Sequence, residues 1–378
     1  MTAFKELDVI SVIKNPNEHY AKLNPDSPLK KRKRMSIDGE VLNNYITDTV
    51  SVIGIAVKEG QKLTGVELSP PLFRKCGVLE VVNELGWNIR DLGDITTQDL
   101  KEKIDASLAD TTEYKYVVEN AHVIGPMCHQ LHDIVYQGAQ RQDFNLILGG
   151  DHGLAAGSIS GMLKKYPNLK VVWVDAHGDC NTPETSPSGN YHGMPAAHLL
   201  GWIKKGEVKG FNWLNDIPIL KAENIVYIGL RDIDAEEKKL LKKHNIKCYS
   251  PFDIEFAGGM GNVMKETLEY LKCDGKTPET TNPIHCSWDV DGCDPSFMTG
   301  TGTRARCGLT LRESHFILQT LFNTRNLVSL DMVEVNTLLE KNTENREMLH
   351  GDIPSLVGQQ TILYAAELIL SAMGFSWL

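Results

Sequence analysis

The sequence predicts a single α/β domain in which a predominantly parallel β-sheet has helices on both faces. Two observations support this fold class: continuous apolar runs typical of buried strands alternate with segments of helical periodicity, and no change of composition divides the alternating region. The 378 residues are 42% hydrophobic and 23% charged, which is typical of a globular protein. We therefore expect one large domain rather than two.

Six segments are predicted to be strands because they are continuous apolar runs rich in β-branched residues. They span residues 50–57, 145–152, 169–177, 224–232, 283–291 and 327–336. Helical periodicity is clearest at residues 121–140, 261–272 and 361–373. Strands that alternate with helices in this way favour parallel pairing, because a helix can return the chain to the starting edge of the sheet.

The first part of the chain differs from the rest. Residues 1–48 are polar and weakly periodic, so we expect a mobile N-terminal extension ahead of an ordered domain at residues 49–378. A basic run, KKRKR at residues 30–34, is typical either of a solvated arm or of a nuclear import signal. The N-terminal residues mix acids and lysines with apolar residues, which predicts neither a secretory signal nor a mitochondrial transit peptide.

Charge and hydropathy exclude two classes of partner. The formal net charge of −10 argues against a general nucleic-acid surface. No apolar window approaches the roughly 18 residues that a membrane span needs. We therefore expect a cytoplasmic protein that binds neither nucleic acid nor membrane.

Acids and histidines lie at the carboxyl ends of four of the predicted strands. Asp151 and His152 end the second predicted strand, and the motif D-x-H-x-D, residues 175–179, begins at the end of the third. The remaining residues of this kind are Asp175, His177, Asp179, Asp289, Asp291 and Glu334. Ligands of parallel α/β sheets bind beyond the carboxyl ends of the strands. The sequence therefore predicts an active site at this edge.

The residue types at this edge indicate a metal site. Alternate residues of a strand share one face, so Asp175, His177 and Asp179 point together if the backbone stays extended past the strand. Alone, a D-x-D pair is more often a solvated turn, but carboxylates and imidazoles buried together without a cation are costly. Oxygen-rich ligation with some imidazole suits Mn²⁺, and six side chains suit two ions that activate one water. The candidate ligands are His152, Asp175, His177, Asp179, Asp289 and Asp291.

Five segments of the sequence resemble the arginase family of ureohydrolases. They are residues 149–161, 174–195, 227–234, 287–303 and 331–336. The resemblance runs from about residue 50 to the C-terminus and implies a three-layer α/β/α catalytic domain. It also implies hydrolysis of L-arginine to L-ornithine and urea with two Mn²⁺ ions, through attack of a bridging hydroxide on the guanidinium carbon.

The resemblance assigns a role to each candidate in the metal centre. Asp175 and Asp289 would bridge the ions. His152 and Asp179 would complete one ion site, and His177 and Asp291 would complete the other. The residues implied to be catalytic are His192, Glu334 and Asp179, with Glu334 holding the guanidinium group and His192 moving protons.

The same resemblance implies a site for the amino-acid end of the substrate. The residues that would read the α-carboxylate are Asn181, Ser186, Ser188 and Asn190. Asp234 would read the α-ammonium group, and Thr303 would support the site. The family also implies a homotrimer, with Arg312 and Glu313 at subunit contacts, although an ordinary ion pair at a helix start explains these two residues equally well.

Two other functions stay open on the sequence. One is a different ureohydrolase, such as an agmatinase or a guanidino-acid hydrolase, and the other is a non-catalytic binding protein with an arginase scaffold. Agmatine has no α-carboxylate, so the loop SGNYHG at residues 188–193 and Asp234 favour arginine as substrate. The complete ligand set and His192 argue against a non-catalytic protein.

Overall fold

Eight parallel strands form one sheet. The computed structural model describes residues 43–204, 206–340 and 360–375. The order of the strands across the sheet is β2-β1-β3-β8-β7-β4-β5-β6. The strands are β1 (Thr49–Ile55), β2 (Asn88–Ile95), β3 (Phe144–Leu148), β4 (Lys170–Val174), β5 (Ile225–Ile228), β6 (Lys247–Tyr249), β7 (Ile284–Asp289) and β8 (Leu327–Val333).

Helices connect the strands and cover the sheet, which confirms the predicted parallel α/β domain. The helices are α1 (Ser69–Lys75), α2 (Val78–Glu84), α3 (Lys101–Ala109), α4 (Ala121–Gln140), α5 (Ala155–Lys165), α6 (Pro195–Leu199), α7 (Ala235–Lys243), α8 (Pro251–Phe256), α9 (Met260–Leu271), α10 (Leu311–Asn323) and α11 (Gln360–Ala372). The three helices predicted from periodicity correspond to α4, α9 and α11, each within one residue of the predicted bounds. No helix in the described ranges is long and apolar enough to cross a membrane.

The central strands lie in the core of the molecule. Every residue of β3, β7 and β8 is buried. Burial on both faces of the sheet explains why β3 and most of β8 appear in the sequence as apolar runs, whereas β7 alternates apolar residues with the buried polar residues His285, Ser287 and Asp289. It also means that any polar side chain on these strands needs a partner within the protein.

Two strands were not predicted, and both lie at an edge of the sheet. β2 exposes much of its length to solvent, and its sequence NIRDLGDI is accordingly polar. β6 has only three residues. Neither segment contains the apolar run on which the prediction depended, because an edge strand needs less apolar surface than a central one.

The predicted bounds of the strands extend past the carboxyl ends that the structure shows. The segment 169–177 was predicted to be extended, but β4 ends at Val174. Asp179 has φ +46°, in the left-handed region, and Asp291 lies in a 3₁₀ turn at Val290–Gly292. The alternation argument for the D-x-H-x-D motif is therefore wrong, because its residues lie in a turn after the strand.

Residues 43–48, which were predicted to belong to the N-terminal extension, contact the domain. Asn43 Nδ2 donates to the carbonyl of Leu327 at 2.7 Å, and the Tyr45 hydroxyl donates to the carbonyl of Thr281 at 2.6 Å. The side chain of Ile46 is buried. The rest of the predicted extension, including the basic run at residues 30–34, lies outside the described residues.

Candidate active site

Four neighbouring strands converge on the candidate site. β3, β8, β7 and β4 are adjacent in the sheet, although they are far apart in the sequence. The pairs Leu148–Met332, Trp288–Met332 and Val174–Trp288 are in register. The residues that follow these four strands therefore lie at the same edge of the sheet. Side chains as far apart in the sequence as His152 and Glu334 meet there.

His152 is the centre of the first cluster of candidate ligands. Its Nδ1 lies 3.0 Å from Asp175 Oδ2, 2.9 Å from Asp179 Oδ2 and 3.4 Å from Asp289 Oδ2. All four side chains are buried. The cluster contains the residues that were predicted to form one ion site and the two predicted bridging residues.

A second cluster shares one carboxylate with the first. His177 Nδ1 lies 3.0 Å from Asp291 Oδ2 and 3.4 Å from Asp175 Oδ1. Asp175 therefore presents one oxygen to each histidine. Thr303 donates its hydroxyl hydrogen to the same oxygen, Asp291 Oδ2, at 2.8 Å, which helps to hold that carboxylate in place.

The electrostatics of the two clusters favour a bound cation. Burial and the charge of Asp175 raise the pKa of Asp179 to about 7. Burial and the charges of Asp291 and Asp175 likewise raise the pKa of Asp289 well above its ordinary value. Nδ1 of His152 is buried beside three carboxylate oxygens, but none of the residues described meets it with the geometry of a hydrogen bond. Divalent cations between these side chains would stabilise the ionised carboxylates and use the free nitrogen.

Buried polar groups orient His152 from behind. Its Nε2 lies 2.9 Å from the hydroxyl of Ser287, which in turn donates to Asp331 Oδ2 at 3.3 Å. The same Asp331 oxygen accepts hydrogen bonds from Ser158 at 2.6 Å and His285 at 3.0 Å. A proton on Nε2 leaves Nδ1 free to coordinate a metal, and such partners are typical of histidine ligands.

Glu334 lies between the first cluster and His192. Its backbone follows β8 with φ +62°. Its Oε1 accepts a hydrogen bond from the backbone N–H of His152 at 2.9 Å and lies 3.2 Å from His192 Nδ1. Burial alone lowers the pKa of His192, but the hydrogen bond to Glu334 and its charge outweigh burial and raise that pKa to about 9.

The loop between Asp179 and His192 contains the other predicted substrate-binding residues. Asn181 Nδ2 donates to Asp234 Oδ2 at 2.9 Å, so these two residues are in contact. The hydroxyls of Ser186 and Ser188 accept backbone N–H groups of the same loop. Asn190 is half-buried. The structure thus joins Asn181 to Asp234, whereas the two serines stabilise the turn that they belong to.

Sequence reasoning missed three residues that contact this site. Gln61 contacts Glu334, and Ser287 contacts His152. Arg231 contacts the loop that contains Asp291. The Arg231 guanidinium donates to six backbone carbonyls, those of Gly229, Asp291, Gly292, Cys293, Ala305 and Arg306. Arg231 and Ser287 lie inside segments already quoted for their resemblance, but Gln61 had no signal that a single sequence reveals.

Comparisons with known proteins agree with this geometry. The profile of the Arginase family matches residues 48–374. The arginase of Plasmodium berghei is 40% identical over 320 residues, which covers 82% of this chain and 88% of that relative. The solved structure of the native Bacillus caldovelox arginase is 35% identical with a TM-score of 0.72, covering 87% of this chain and 99% of that one.

A third relative was solved with a bound amino acid. The Entamoeba histolytica arginase in complex with L-ornithine is 27% identical, with a TM-score of 0.69, and the match covers 87% of this chain and 99% of that one. The family match extends over nearly all the described residues, including every candidate ligand. The chain therefore belongs to the arginase family and is a hydrolase.

Proposed function

We propose that this enzyme hydrolyses L-arginine to L-ornithine and urea at a centre that binds two Mn²⁺ ions. Family membership supports the reaction. The observation that carries the two-ion centre is the shared carboxylate of Asp175, whose two oxygens lie 3.0 and 3.4 Å from the Nδ1 atoms of two different histidines. A carboxylate with one oxygen in each cluster is suited to bridge two cations.

The residues would be divided between the two ion sites as the family resemblance implies. His152 and Asp179 would hold one ion, and His177 and Asp291 the other, with Asp175 and Asp289 between them. The oxygen-rich set with one imidazole for each ion suits Mn²⁺. When bound, the ions would act as Lewis acids and activate water for attack on an electrophilic carbon.

Glu334 and His192 would act on the substrate itself. The Glu334 carboxylate would bind the guanidinium cation through charge-assisted hydrogen bonds and hold its carbon in position. The bond between that carbon and the side-chain nitrogen breaks, and the departing amine must gain a proton. His192 would supply this proton, since its pKa of about 9 keeps it protonated at neutral pH.

The opposite end of the substrate would contact the loop at residues 181–190 and Asp234. Ser186, Ser188 and Asn190 would bind the α-carboxylate together with Asn181. Asp234 would bind the α-ammonium group. The contact between Asn181 and Asp234 at 2.9 Å supports a common pocket for the two groups.

Metal binding is tested first with the ligands themselves. We expect Asp175→Ala and Asp289→Ala to lose Mn²⁺ and urea production, while Asp133→Ala, at an exposed position on α4, keeps both. Metal content by elemental analysis and urea release would be measured on the same samples. Full metal content in folded Asp175→Ala would contradict the bridging role.

The substrate is tested by comparing L-arginine with agmatine. We expect urea from L-arginine and little or none from agmatine, because agmatine lacks the α-carboxylate that the loop would bind. Urea from agmatine alone would favour the agmatinase alternative. Urea from neither compound, in a Mn²⁺-loaded sample, would favour a non-catalytic protein.

We also propose a cytoplasmic homotrimer. Arg312 is exposed at the start of α10, where the family resemblance implies a subunit contact. Glu313 accepts hydrogen bonds from the backbone and hydroxyl of Thr310, so it also caps its own helix. Sedimentation equilibrium should give three times the mass of the chain, and a monomer would contradict the proposal. Nuclear import through residues 30–34 stays a prediction.

A further inference from the structure

The loop that follows β1 is built into the candidate active site. This loop, residues 56–65, is here called the β1 loop. The backbone N–H of Gly60 donates to Asp151 Oδ2 at 2.8 Å, and the carbonyl of Gly60 accepts the N–H of His192 at 3.1 Å. A Cβ atom on Gly60 would lie 2.3 Å from Asp151 Oδ1. Position 60 therefore requires glycine. The two hydrogen bonds of Gly60, to Asp151 and to His192, fix the backbone next to Gln61.

The side chain of Gln61 contacts Glu334 directly. Its Nε2 donates to Glu334 Oε2 at 2.9 Å, and the residue is only 9% exposed. The other oxygen of Glu334 accepts the backbone N–H of His152 at 2.9 Å. Oε1 also lies 3.2 Å from Nδ1 of His192. Gln61 therefore holds one oxygen of the carboxylate, and His152 and His192 hold the other.

We propose that Gln61 is a positioning residue that fixes the Glu334 carboxylate in the orientation that binds the guanidinium group of the substrate. This inference rests on the proposed function. A free glutamate side chain loses rotamer entropy when it binds a ligand, and a carboxylate that is already held avoids this loss at the moment of binding. Two donors on different oxygens define both the position and the plane of the carboxylate.

The neutral amide of Gln61 is suited to this task. A lysine at position 61 would bring its own cation to Glu334 and compete with the guanidinium group. A glutamate there would repel Glu334. The glutamine amide donates one hydrogen bond and leaves the negative charge of Glu334 available to the substrate. A carboxylate oxygen has capacity for more than one hydrogen bond, so the contact with Gln61 does not block the substrate.

The test separates the guanidinium end of the substrate from the amino-acid end. Gln61→Met keeps the approximate size of the side chain and removes the donor. In the Mn²⁺-loaded enzyme we expect kcat/KM for L-arginine to fall about tenfold, as for the loss of a hydrogen bond to a charged group. The inhibition constant of L-ornithine, which lacks the guanidinium carbon, should change less than about threefold.

A double-mutant cycle with Glu334→Gln shows whether Gln61 acts through Glu334. If it does, Gln61→Met should change kcat/KM less than about twofold in the Glu334→Gln background. Gln61→Glu, an almost isosteric change, is the second variant and should lower kcat/KM more than Gln61→Met does, because two carboxylates then face each other. Circular dichroism and bound Mn²⁺ would be measured for each variant.

The outcomes separate this inference from the proposed function. Normal kcat/KM in Gln61→Met, with a large loss in Glu334→Gln, would overturn the role of Gln61 alone. Equal weakening of L-arginine and L-ornithine would also overturn it, since a general structural change explains that result. Normal kcat/KM in Glu334→Gln would instead contradict the role of Glu334 and with it the proposed guanidinium site.

Discussion

At the scale of single residues, His192 combines two opposing effects on its protonation. Burial disfavours the imidazolium, whereas Glu334, 3.2 Å from its Nδ1, stabilises it and raises the pKa to about 9. The charged form therefore persists through neutral pH. A protonated histidine beside the carboxylate that we propose binds the guanidinium group is in a suitable state to protonate a departing amine.

Replacement of His192 should lower turnover more than substrate binding. We expect His192→Asn to lower kcat by about 10²–10⁴-fold, the usual contribution of general acid catalysis, with a smaller change in KM. The fall of kcat as pH rises through about 9 should disappear, because the titrating group is gone. Steady-state kinetics from pH 6 to 10 would measure both effects.

A matched control for this variant is available on α4. His129 has a ring that is 45% exposed, and His129→Asn should leave kcat and its pH dependence unchanged. An alkaline fall of kcat that persists unchanged in His192→Asn would show that a different group donates the proton.

Asp331 contacts the candidate metal centre through other residues. Its Oδ2 accepts hydrogen bonds from Ser158, His285 and Ser287, and Ser287 contacts the Nε2 of His152. We expect Asp331→Asn to weaken Mn²⁺ binding about 10–100-fold, as is usual when the hydrogen-bond partners of a ligand are lost. Titration of the metal-free variant with Mn²⁺ would measure this, and unchanged affinity would contradict the role of Asp331.

At the scale of elements, α4 and α5 pack closely because α5 has glycines where they meet. A Cβ atom on Gly157 would lie 2.5 Å from the carbonyl oxygen of Cys128 on α4, and one on Gly161 would lie 2.7 Å from the carbonyl oxygen of His132. Both obstacles are backbone atoms of a helix, which cannot rotate away. The distance between α4 and α5 therefore depends on the absence of side chains at positions 157 and 161.

Gly157→Ala should destabilise the protein despite the higher helix propensity of alanine. The overlap with α4 should cost about 1–3 kcal/mol, and propensity returns at most about 1 kcal/mol. The thermal unfolding midpoint of the Mn²⁺-loaded protein should therefore fall. Gly261→Ala on α9 is the control: its new methyl group would meet only Phe316, at 3.9 Å, so the midpoint should rise or stay unchanged. A higher midpoint for Gly157→Ala would disprove the close packing.

At the scale of the whole molecule, the candidate metal centre is the place where the fold needs a charged ligand. It lies beyond the ends of the four central strands, which belong to parts of the chain more than 180 residues apart. Without a cation, burial and mutual repulsion raise the pKa values of Asp179 and Asp289. Metal binding should therefore stabilise the entire domain, because the ligands come from strands that all lie in one core.

The stabilisation by metal should increase with pH. The unfolded protein ionises Asp179 near pH 4, but the metal-free folded protein ionises it only near pH 7. The metal-free protein therefore loses stability as pH rises from about 4 to 7, whereas a bound cation favours the ionised form. The difference in unfolding midpoint between Mn²⁺-loaded and chelator-treated protein should widen from pH 5 to 8. A constant difference would contradict this account.

The sequence alone determined the fold class, the central strands and the residue types of the candidate metal centre. These features are local: a strand buried on both faces is apolar at most of its positions, as in β3 and β4, and the motif around Asp175 is contiguous. Edge strands such as β2 carry no such signal, because solvent replaces part of their packing.

Only the tertiary structure decided how the candidate residues face one another. The turn at Asp179, the sharing of Asp175 by two histidines and the contact of Gln61 with Glu334 depend on strand order and on backbone conformations after the strands. Gln61 and Glu334 are 273 residues apart in the chain, so no local pattern of residues can relate them. Their contact arises because β1 and β8 both lie beside β3, and parallel strands bring the loops at their carboxyl ends to the same edge of the sheet.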